Sequence, residues 1–568
     1  MPLTCPTPDA FATMTWPQIA PHYDALEERP LAPGDAAGIE AWLADWNALD
    51  ESLLEAIRLA EFRAAGNTAD PEVAARADRL SGEIAPERAA RQTRLAEKLL
   101  ATGYTRPDLE TTLRRFRSDA AIFRAENVPL ASDLERMRGE YRQLAGGLTV
   151  DWDGQPIPVS RLAPMLQSPD RAVRERAWRL GFAPYVERHD AFADCFDRML
   201  ATRQRMARNA GFPDFRAYQF RVLHRFDYTP EDCERFHASV EQAVIPAIRR
   251  RLEKRRQAMG LDALRPWDVD VDPQQRPALA PFASIEELET RLQAVFTRVD
   301  PVFGEQFAAM RASGLLDLDA RTGKAPGGFC DTLPQSKRPY IFMSAAGTGL
   351  DVRILAHEAG HGFHGLAASA LPFVHQRFSG EEMEEVGSMT MELLTAPFMR
   401  ASEGGFYDEA DWRRDRIEHL EMIVDRFAWI ATVDAFQHWL YTSPDGGDRD
   451  ARDAMWLRTW DRFNAGVDMI GLDAERIARS HRQIHLFHYP FYYIEYGLAQ
   501  LAALQVWRHA NTDWPGAIAA YRAAMALGGS RPLPELYARA GARLVFDAEG
   551  MAELIALVEA ELEALEAV

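Results

Sequence analysis

The sequence is organised around one central stretch, Ile354-Leu355-Ala356-His357-Glu358-Ala359-Gly360-His361-Gly362-Phe363-His364. Residues four apart lie on the same face of an α-helix, so a helix here would present the imidazoles of His357 and His361 to one point. Two neutral imidazoles suit Zn²⁺, and Glu358 would lie beside that point, where it could take a proton from a metal-bound water. The stretch therefore predicts a helix that carries a zinc site.

Neighbouring residues support this helix. Thr348 and Asp351 form the pattern of a capping box at its N-terminus. Gly360 and Gly362 each cost about 1 kcal/mol of helix stability relative to alanine, which indicates that another element packs closely against them. His364 falls on the same stripe as the two histidines but one turn beyond them, and we interpret it as a packed histidine rather than a ligand.

The overall composition limits the partners that this chain can have. Its 568 residues carry a formal net charge of −20, so there is no basic surplus to neutralise the phosphates of a nucleic acid. No apolar run is long enough to span a bilayer, and the N-terminus lacks the basic start and apolar core of a signal peptide. We expect a cytoplasmic protein with no nucleic-acid or membrane partner, and the sequence leaves the oligomeric state open.

The cysteines are few and widely spaced. The chain has four, at Cys5, Cys195, Cys233 and Cys330. Because no C-x-x-C pair occurs, neither a zinc ribbon nor a disulfide framework is indicated. Scattered thiols are typical of proteins in a reducing compartment, which agrees with the expected cytoplasmic location.

Most of the remaining chain shows apolar residues at helical spacing. We divide the chain into an N-terminal helical region, 1–160, and a region, 161–568, that contains the helix predicted around residues 354–364, called the metal helix below. Asp153-Gly154 predicts a β-hairpin within 148–159, and short strands are predicted at 327–330 and 339–344, just before the metal helix. These strands could bind an extended peptide or form a buried hairpin. The expected fold class is therefore mostly α, with a small β element next to the metal helix.

A third metal ligand must come from elsewhere in the chain. In the motif His-Glu-x-x-His-x-x-Gly-x-x-His the last Gly and His would fall at His364 and Ala367, so that pattern is absent. The segment 384–392 is predicted to be a helix, on which Glu385 and Glu392 share a face. A carboxylate in an otherwise apolar helix is costly to bury unless it binds a metal or a hydrogen-bond partner, so both remain candidates.

These segments together resemble the oligoendopeptidase F family of zinc metallopeptidases, in the thimet-oligopeptidase group. The resemblance rests on the stretch 357–364, on Glu385-Val386-Gly387-Ser388 through Glu392 and on the preceding strands, and it covers most of the chain from about residue 160. It implies one Zn²⁺ per chain, bound by His357, His361 and Glu385, with Glu358 as general base. It also implies a two-lobed helical body around a deep channel that admits short peptides.

A second group of candidate residues lies in the densest polar and aromatic cluster of the chain, which runs from His485 to Tyr496. Imidazole and phenol groups can stabilise the oxyanion that forms when water adds to a peptide carbonyl, and in the family a histidine and tyrosines of this region do so. The best matches are His485, Tyr493 and Tyr496. Pro490 predicts a loop before a helix that carries both tyrosines on one face. The family spacing is not reproduced identically, so the cluster leaves these alternatives: His488, Tyr489, Tyr492, or an aromatic core without catalytic role.

The resemblance implies a zinc-dependent endopeptidase that hydrolyses internal peptide bonds of short oligopeptides. Two alternatives remain open, a related zinc carboxypeptidase and a non-catalytic helical peptide-binding protein with a silent metal site. The presence of Glu358 favours an enzyme, because a structural zinc site needs no base and is normally closed by four protein ligands.

Overall fold

The computed structural model describes residues 4–325 and 327–567. The chain forms two compact units, and each unit is assembled from three separate segments. The first unit contains Met1–Phe123, Leu279–Arg416 and Leu498–Leu544, and the second contains Arg124–Ala278, Ile417–Gly497 and Val545–Val568. The division into 1–160 and 161–568 that the sequence suggests stays a prediction.

Helices dominate both units, which confirms the mostly α fold class. Within the described part of the chain, none of them is both long and apolar enough to cross a bilayer. The first half of the chain carries α1 (Pro8–Phe11), α2 (Trp16–Glu28), α3 (Ala36–Gly66), α4 (Pro71–Asp78), α5 (Ala85–Ala101), α6 (Glu110–Ile122), α7 (Asn127–Gly146), α8 (Arg171–Glu187), α9 (His189–Asn209), α10 (Phe215–Val222), α11 (Pro230–Ser239) and α12 (Ile245–Ala258).

The second half of the chain continues the helical pattern and contains the metal helix, α15. Its helices are α13 (Ile285–Val299), α14 (Pro301–Ala312), α15 (Gly349–Ala368), α16 (Glu381–Thr395), α17 (Glu409–Thr442), α18 (Arg449–Phe463), α19 (Asp473–Arg482), α20 (Ile484–His488), α21 (Tyr493–Ala510), α22 (Trp514–Met525), α23 (Leu533–Arg539) and α24 (Ala548–Glu566).

A two-stranded hairpin lies in the second unit, where the Asp-Gly pair predicts it. Strands β1 (Thr149–Trp152) and β2 (Gln155–Pro158) are antiparallel. Asp153 and Gly154 have φ angles of 56° and 80°, and positive φ at both central residues is what a tight hairpin turn of this kind requires.

A three-stranded sheet precedes the metal helix in the first unit. It contains β3 (Leu316–Asp319), β4 (Phe329–Leu333) and β5 (Arg338–Ala345) in the order β3-β5-β4. The central β5 is largely buried, runs antiparallel to β4 and parallel to β3, and leads within a few residues into α15, which packs on β4 and β5. The small β element next to the metal helix is thus confirmed, with β4 at the edge of the sheet.

Candidate active site

The metal helix α15 begins where its capping residues predict. Thr348 Oγ1 accepts a hydrogen bond from the backbone N–H of Asp351 at 3.3 Å, and Asp351 Oδ2 accepts one from the backbone N–H of Thr348 at 2.8 Å. This reciprocal capping box fixes the first turn of the helix. Within this helix His357 and His361 are four residues apart and share a face, with ring centroids 4.9 Å apart.

The backbones of α15 and α16 touch at a pair of glycines. A Cβ atom added to Gly360 would lie 2.7 Å from Ser388 Cα and 2.8 Å from the carbonyl oxygen of Gly387. Tyr521 on α22 donates a hydrogen bond to that same carbonyl at 2.5 Å. The helix-weakening glycine is therefore needed, because it lets α16 approach closely enough for Glu385 to reach the two histidines.

Three side chains meet at this contact between α15 and α16. Glu385 Oε2 lies 3.4 Å from His357 Nε2 and 3.8 Å from His361 Nε2. Tetrahedral zinc with bonds of about 2.0–2.1 Å places its ligand atoms about 3.3 Å apart, so the donor set and its spacing fit such an ion. The side chains of His357 and His361 remain 21% and 18% exposed, which leaves one side of the group accessible for a further ligand.

Further polar groups orient these donors. His357 Nδ1 donates a 2.7 Å hydrogen bond to Glu392 Oε1, which orients the ring so that Nε2 faces Glu385. Ser388 Oγ donates to Glu385 Oε2 at 3.1 Å. Burial lowers the pKa of His357, but the hydrogen bond to Glu392 and the charge of Glu385 outweigh burial and raise that pKa to about 9. The surrounding carboxylates therefore favour a positive charge at this point, either a proton or a metal ion.

Glu358 lies next to this group in the chain and differs from the other carboxylates. Its side chain is buried, and Oε2 accepts no hydrogen bond from any residue in 4–325 or 327–567. Burial, the main cause, and the charges of Glu385 and Glu392 raise its pKa to about 7, against the opposing effect of His357. A carboxylate with a pKa near neutrality can both accept a proton and return it.

His364 lies outside the three-residue group, as interpreted from the sequence. It is fully buried, and its Nδ1 is 3.1 Å from Glu384 Oε2. Burial alone would raise the pKa of Glu384, but the pairing with His364 lowers it to about 2. This pair packs beside Gly387 and stabilises the junction of α15 and α16 rather than the metal group.

The second group of candidate residues lies in the second unit. His485 is on the one-turn helix α20, so the predicted loop at this position is wrong: the helix forms and ends before Pro490, which disfavours helix only at the residue preceding it. The ring of His485 lies 4.6 Å from that of Tyr493 and 5.9 Å from that of Tyr496 on α21. All three side chains are half-buried.

The alternative residues in this segment have different surroundings. His488 is 4% exposed and packs edge-on against Tyr141 at 5.4 Å, as a core residue would. Tyr489 is 52% exposed. Tyr492 is half-buried and packs against Tyr496 at 5.0 Å. His485, Tyr493 and Tyr496 thus combine close ring contacts with partial access to solvent, and Tyr492, whose ring lies 5.9 Å from that of His485, shares both properties and stays an alternative.

Gln483 fixes the proton position on His485. The indole N–H of Trp429 can only donate, and it donates to Gln483 Oε1 at 3.1 Å. The amide nitrogen of Gln483 therefore faces His485 Nδ1, 2.8 Å away, and donates to it. Burial lowers the pKa of His485 to about 4, so the ring is neutral and carries its proton on Nε2. Sequence reasoning missed Gln483 and Trp429, because no motif marks either residue.

Residues 164–554 match the sequence profile of peptidase family M3. The chain belongs to peptidase family M3. The matched region contains the metal helix, α16 and the His485 cluster, so the resemblance drawn from the sequence is confirmed.

Individual relatives agree with this membership of family M3. The chain is 20% identical over 393 residues to an oligoendopeptidase F homolog of Borreliella burgdorferi, a match that covers 67% of this chain and 63% of the relative. A solved structure provisionally named oligoendopeptidase F is 25% identical with a TM-score of 0.89, over 98% of this chain and all of the other. PZ peptidase A, solved with an inhibitor, shares the fold at 23% identity and a TM-score of 0.87, over 100% of this chain and 99% of the other.

Proposed function

We propose that this member of family M3 is a zinc-dependent endopeptidase that hydrolyses internal bonds of short oligopeptides. The observation that carries the proposal is the group of His357, His361 and Glu385 with the buried Glu358 next to it in the chain. The relative from Borreliella burgdorferi is an oligoendopeptidase F homolog, which supports peptides as the substrate class.

The proposed roles follow from the chemistry of each group. His357, His361 and Glu385 would hold one Zn²⁺ per chain, which would supply an acidified water and polarise the scissile carbonyl. Glu392 holds His357 in the required tautomer. Glu358 takes the proton of the attacking water at its Oε2 and then delivers it to the leaving amine.

We further propose that His485, Tyr493 and Tyr496 donate hydrogen bonds to the substrate carbonyl oxygen as negative charge develops on it. The support is the resemblance to the family, the partial exposure of the three side chains and the proton on His485 Nε2 that Gln483 enforces.

Removing a phenol from this group tests that role. Tyr493→Phe or Tyr496→Phe is expected to lower kcat about 10²–10³-fold with little change in KM, because such a donor acts mainly in the transition state. Steady-state kinetics on a fluorogenic peptide gives both constants. Tyr489→Phe is the matched control, since Tyr489 is largely exposed and should leave kcat unchanged. A lowered melting temperature with unchanged kcat in the first two variants would instead make the cluster an aromatic core.

Peptides with blocked ends test the type of cleavage. An acetylated and amidated peptide of roughly ten residues should be cut internally, because an endopeptidase needs no contact with a terminal charge. Mass spectrometry of the products locates the cut, and Glu358→Gln is the control for contaminating peptidases. Stepwise loss of residues from a free C-terminus, with the blocked peptide intact, would establish the carboxypeptidase alternative. A stable folded protein should resist digestion.

The proposed cellular location and partners of this protein rest on the sequence alone. A cytoplasmic location, and the absence of nucleic-acid and membrane partners, stay predictions from the sequence.

A further inference from the structure

A second cluster of metal-ligand side chains lies in the second unit, where α11 meets α17. Each helix contributes two side chains four residues apart, Cys233 and His237 from α11, Asp434 and His438 from α17. All four residues are at most 5% exposed. One ligand atom each of Cys233, Asp434 and His438 lies within 4.8 Å of the other two.

The hydrogen bonds of this cluster are incomplete. Asp434 Oδ2 accepts a 2.8 Å hydrogen bond from His237 Nε2. It also lies 3.3 Å from His438 Nε2, but the two are not aligned for a hydrogen bond. Within the described residues, Asp434 Oδ1 accepts no hydrogen bond at all. Buried carboxylate oxygens are rarely left in this state, because removing them from water is costly without a compensating partner.

Like the α15–α16 site, this cluster offers imidazole and carboxylate groups as ligands, and it adds the thiol of Cys233. The separation of 3.3 Å between His438 Nε2 and Asp434 Oδ2 is close to the 3.4 Å between His357 Nε2 and Glu385 Oε2. His237 steadies the carboxylate of Asp434, much as a carboxylate steadies His357 in the first site.

We propose that Cys233, Asp434 and His438 bind a second divalent cation of the Zn²⁺ type, with His237 orienting Asp434. A thiolate with an imidazole and a carboxylate selects Zn²⁺ or Co²⁺ over Mg²⁺ and Ca²⁺. On binding, the thiol of Cys233 loses its proton to solvent and its sulfur becomes a ligand. The ion would tie α11 to α17 within the second unit, a role separate from peptide hydrolysis.

Arg216 competes with the ion for His438. Its Nη1 lies 3.2 Å from His438 Nδ1, and a guanidinium can only donate, so Nδ1 carries the lone pair and Nε2 the proton. Binding of a cation at Nε2 therefore requires the ring proton to move to Nδ1 and Arg216 to turn away. Glu234 can receive Arg216, because its Oε1 already lies 3.4 Å from Nη1. A cavity of about 420 Å³ lined by Arg216, Glu234, His237 and His438 provides the space and the entry path.

Cobalt provides a probe that distinguishes the two sites. A Co²⁺ ion bound to a thiolate shows an intense near-ultraviolet charge-transfer band, and the donors proposed for the first site contain no sulfur. We expect the folded, metal-stripped full-length protein to bind two equivalents of Co²⁺ and to develop this band with one of them. Circular dichroism recorded in the same titration establishes that the chain stays folded.

Matched variants assign the band to its ligands. Cys233→Ser should remove the band and reduce binding to one equivalent. Cys195→Ser replaces another fully buried cysteine of the same unit and should leave the band intact. Glu385→Gln should remove the other equivalent and keep the band, which separates this proposal from the proposed peptidase function.

The result is decisive in either direction. If the folded wild-type protein shows no charge-transfer band at saturating Co²⁺, or if the band persists in Cys233→Ser, the second site does not exist as proposed. Should Cys233→Ser fail to fold, Arg216→Met provides the second test. Removing the competing guanidinium should raise the Co²⁺ affinity, measured from the growth of the charge-transfer band, at least severalfold. An unchanged or lower affinity would overturn the proposal.

Discussion

Glu358→Gln is expected to lower kcat by roughly 10²–10⁴-fold while the protein keeps its fold and its metal. The amide has nearly the same shape as the carboxylate but cannot accept a proton from water. Because the wild-type carboxyl is buried and its pKa is raised to about 7, replacing it by a neutral group should leave the melting temperature unchanged or slightly higher. Kinetics with a fluorogenic peptide, metal analysis and thermal denaturation together check the prediction.

Glu358→Asp is the companion variant for this test. It keeps a carboxylate but withdraws it by one methylene, so its kcat should lie between those of the wild type and Glu358→Gln. If Glu358→Gln turned over peptides at nearly the wild-type rate, the proton would have to be accepted by another group, and the proposed mechanism would be wrong.

Glu385→Gln is expected to cause the largest loss of metal affinity among single changes on α16. Glu385 Oε2 lies close to both histidine Nε2 atoms, and an amide oxygen is a much weaker ligand than a carboxylate. Glu392→Gln is the matched comparison, since both glutamates are buried on the same helix. Glu392 acts through His357, so its loss should weaken binding by only about 10–100-fold. Zinc content after dialysis against a graded series of chelator concentrations measures both effects.

Two outcomes of that comparison would change the assignment of the ligands. Stoichiometric zinc in Glu385→Gln, at a chelator concentration that the wild type also withstands, would remove Glu385 from the site. A greater loss of zinc in Glu392→Gln than in Glu385→Gln would instead make Glu392 the direct ligand.

The parts of the site that could be predicted from sequence are those that depend on local periodicity. His357 and His361 share a face because of helical geometry alone, and the capping box at Thr348 fixes where their helix begins. The cost of Gly360 in a helix correctly indicated a close contact, although sequence could not identify α16 as the partner. The choice between Glu385 and Glu392 depended on family resemblance, because both lie on the same face of one helix.

The parts that could not be predicted depend on contacts between residues distant in the chain. Cys233 lacks the C-x-x-C spacing of common zinc sites, and its neighbours Asp434 and His438 lie on another helix. Gln483 acquires its significance only because Trp429 sets the orientation of its amide. Neither arrangement leaves a signal in local hydrophobic pattern or motif spacing.

The interleaving of the two units has a consequence for biosynthesis. Each unit draws one of its three segments from the last part of the chain, residues 498–568. In the first unit, Gly387 can accept its hydrogen bond from the hydroxyl of Tyr521 only after Tyr521 has been synthesised. In the second unit, the hydroxyl of Ser239 likewise needs the carbonyl of Phe546 as its acceptor. A ribosome that releases the chain from its N-terminus therefore cannot complete one unit before starting the other, as it would for domains arranged in succession. The nascent chain must hold two unfinished hydrophobic cores at once until residues from this segment have been made.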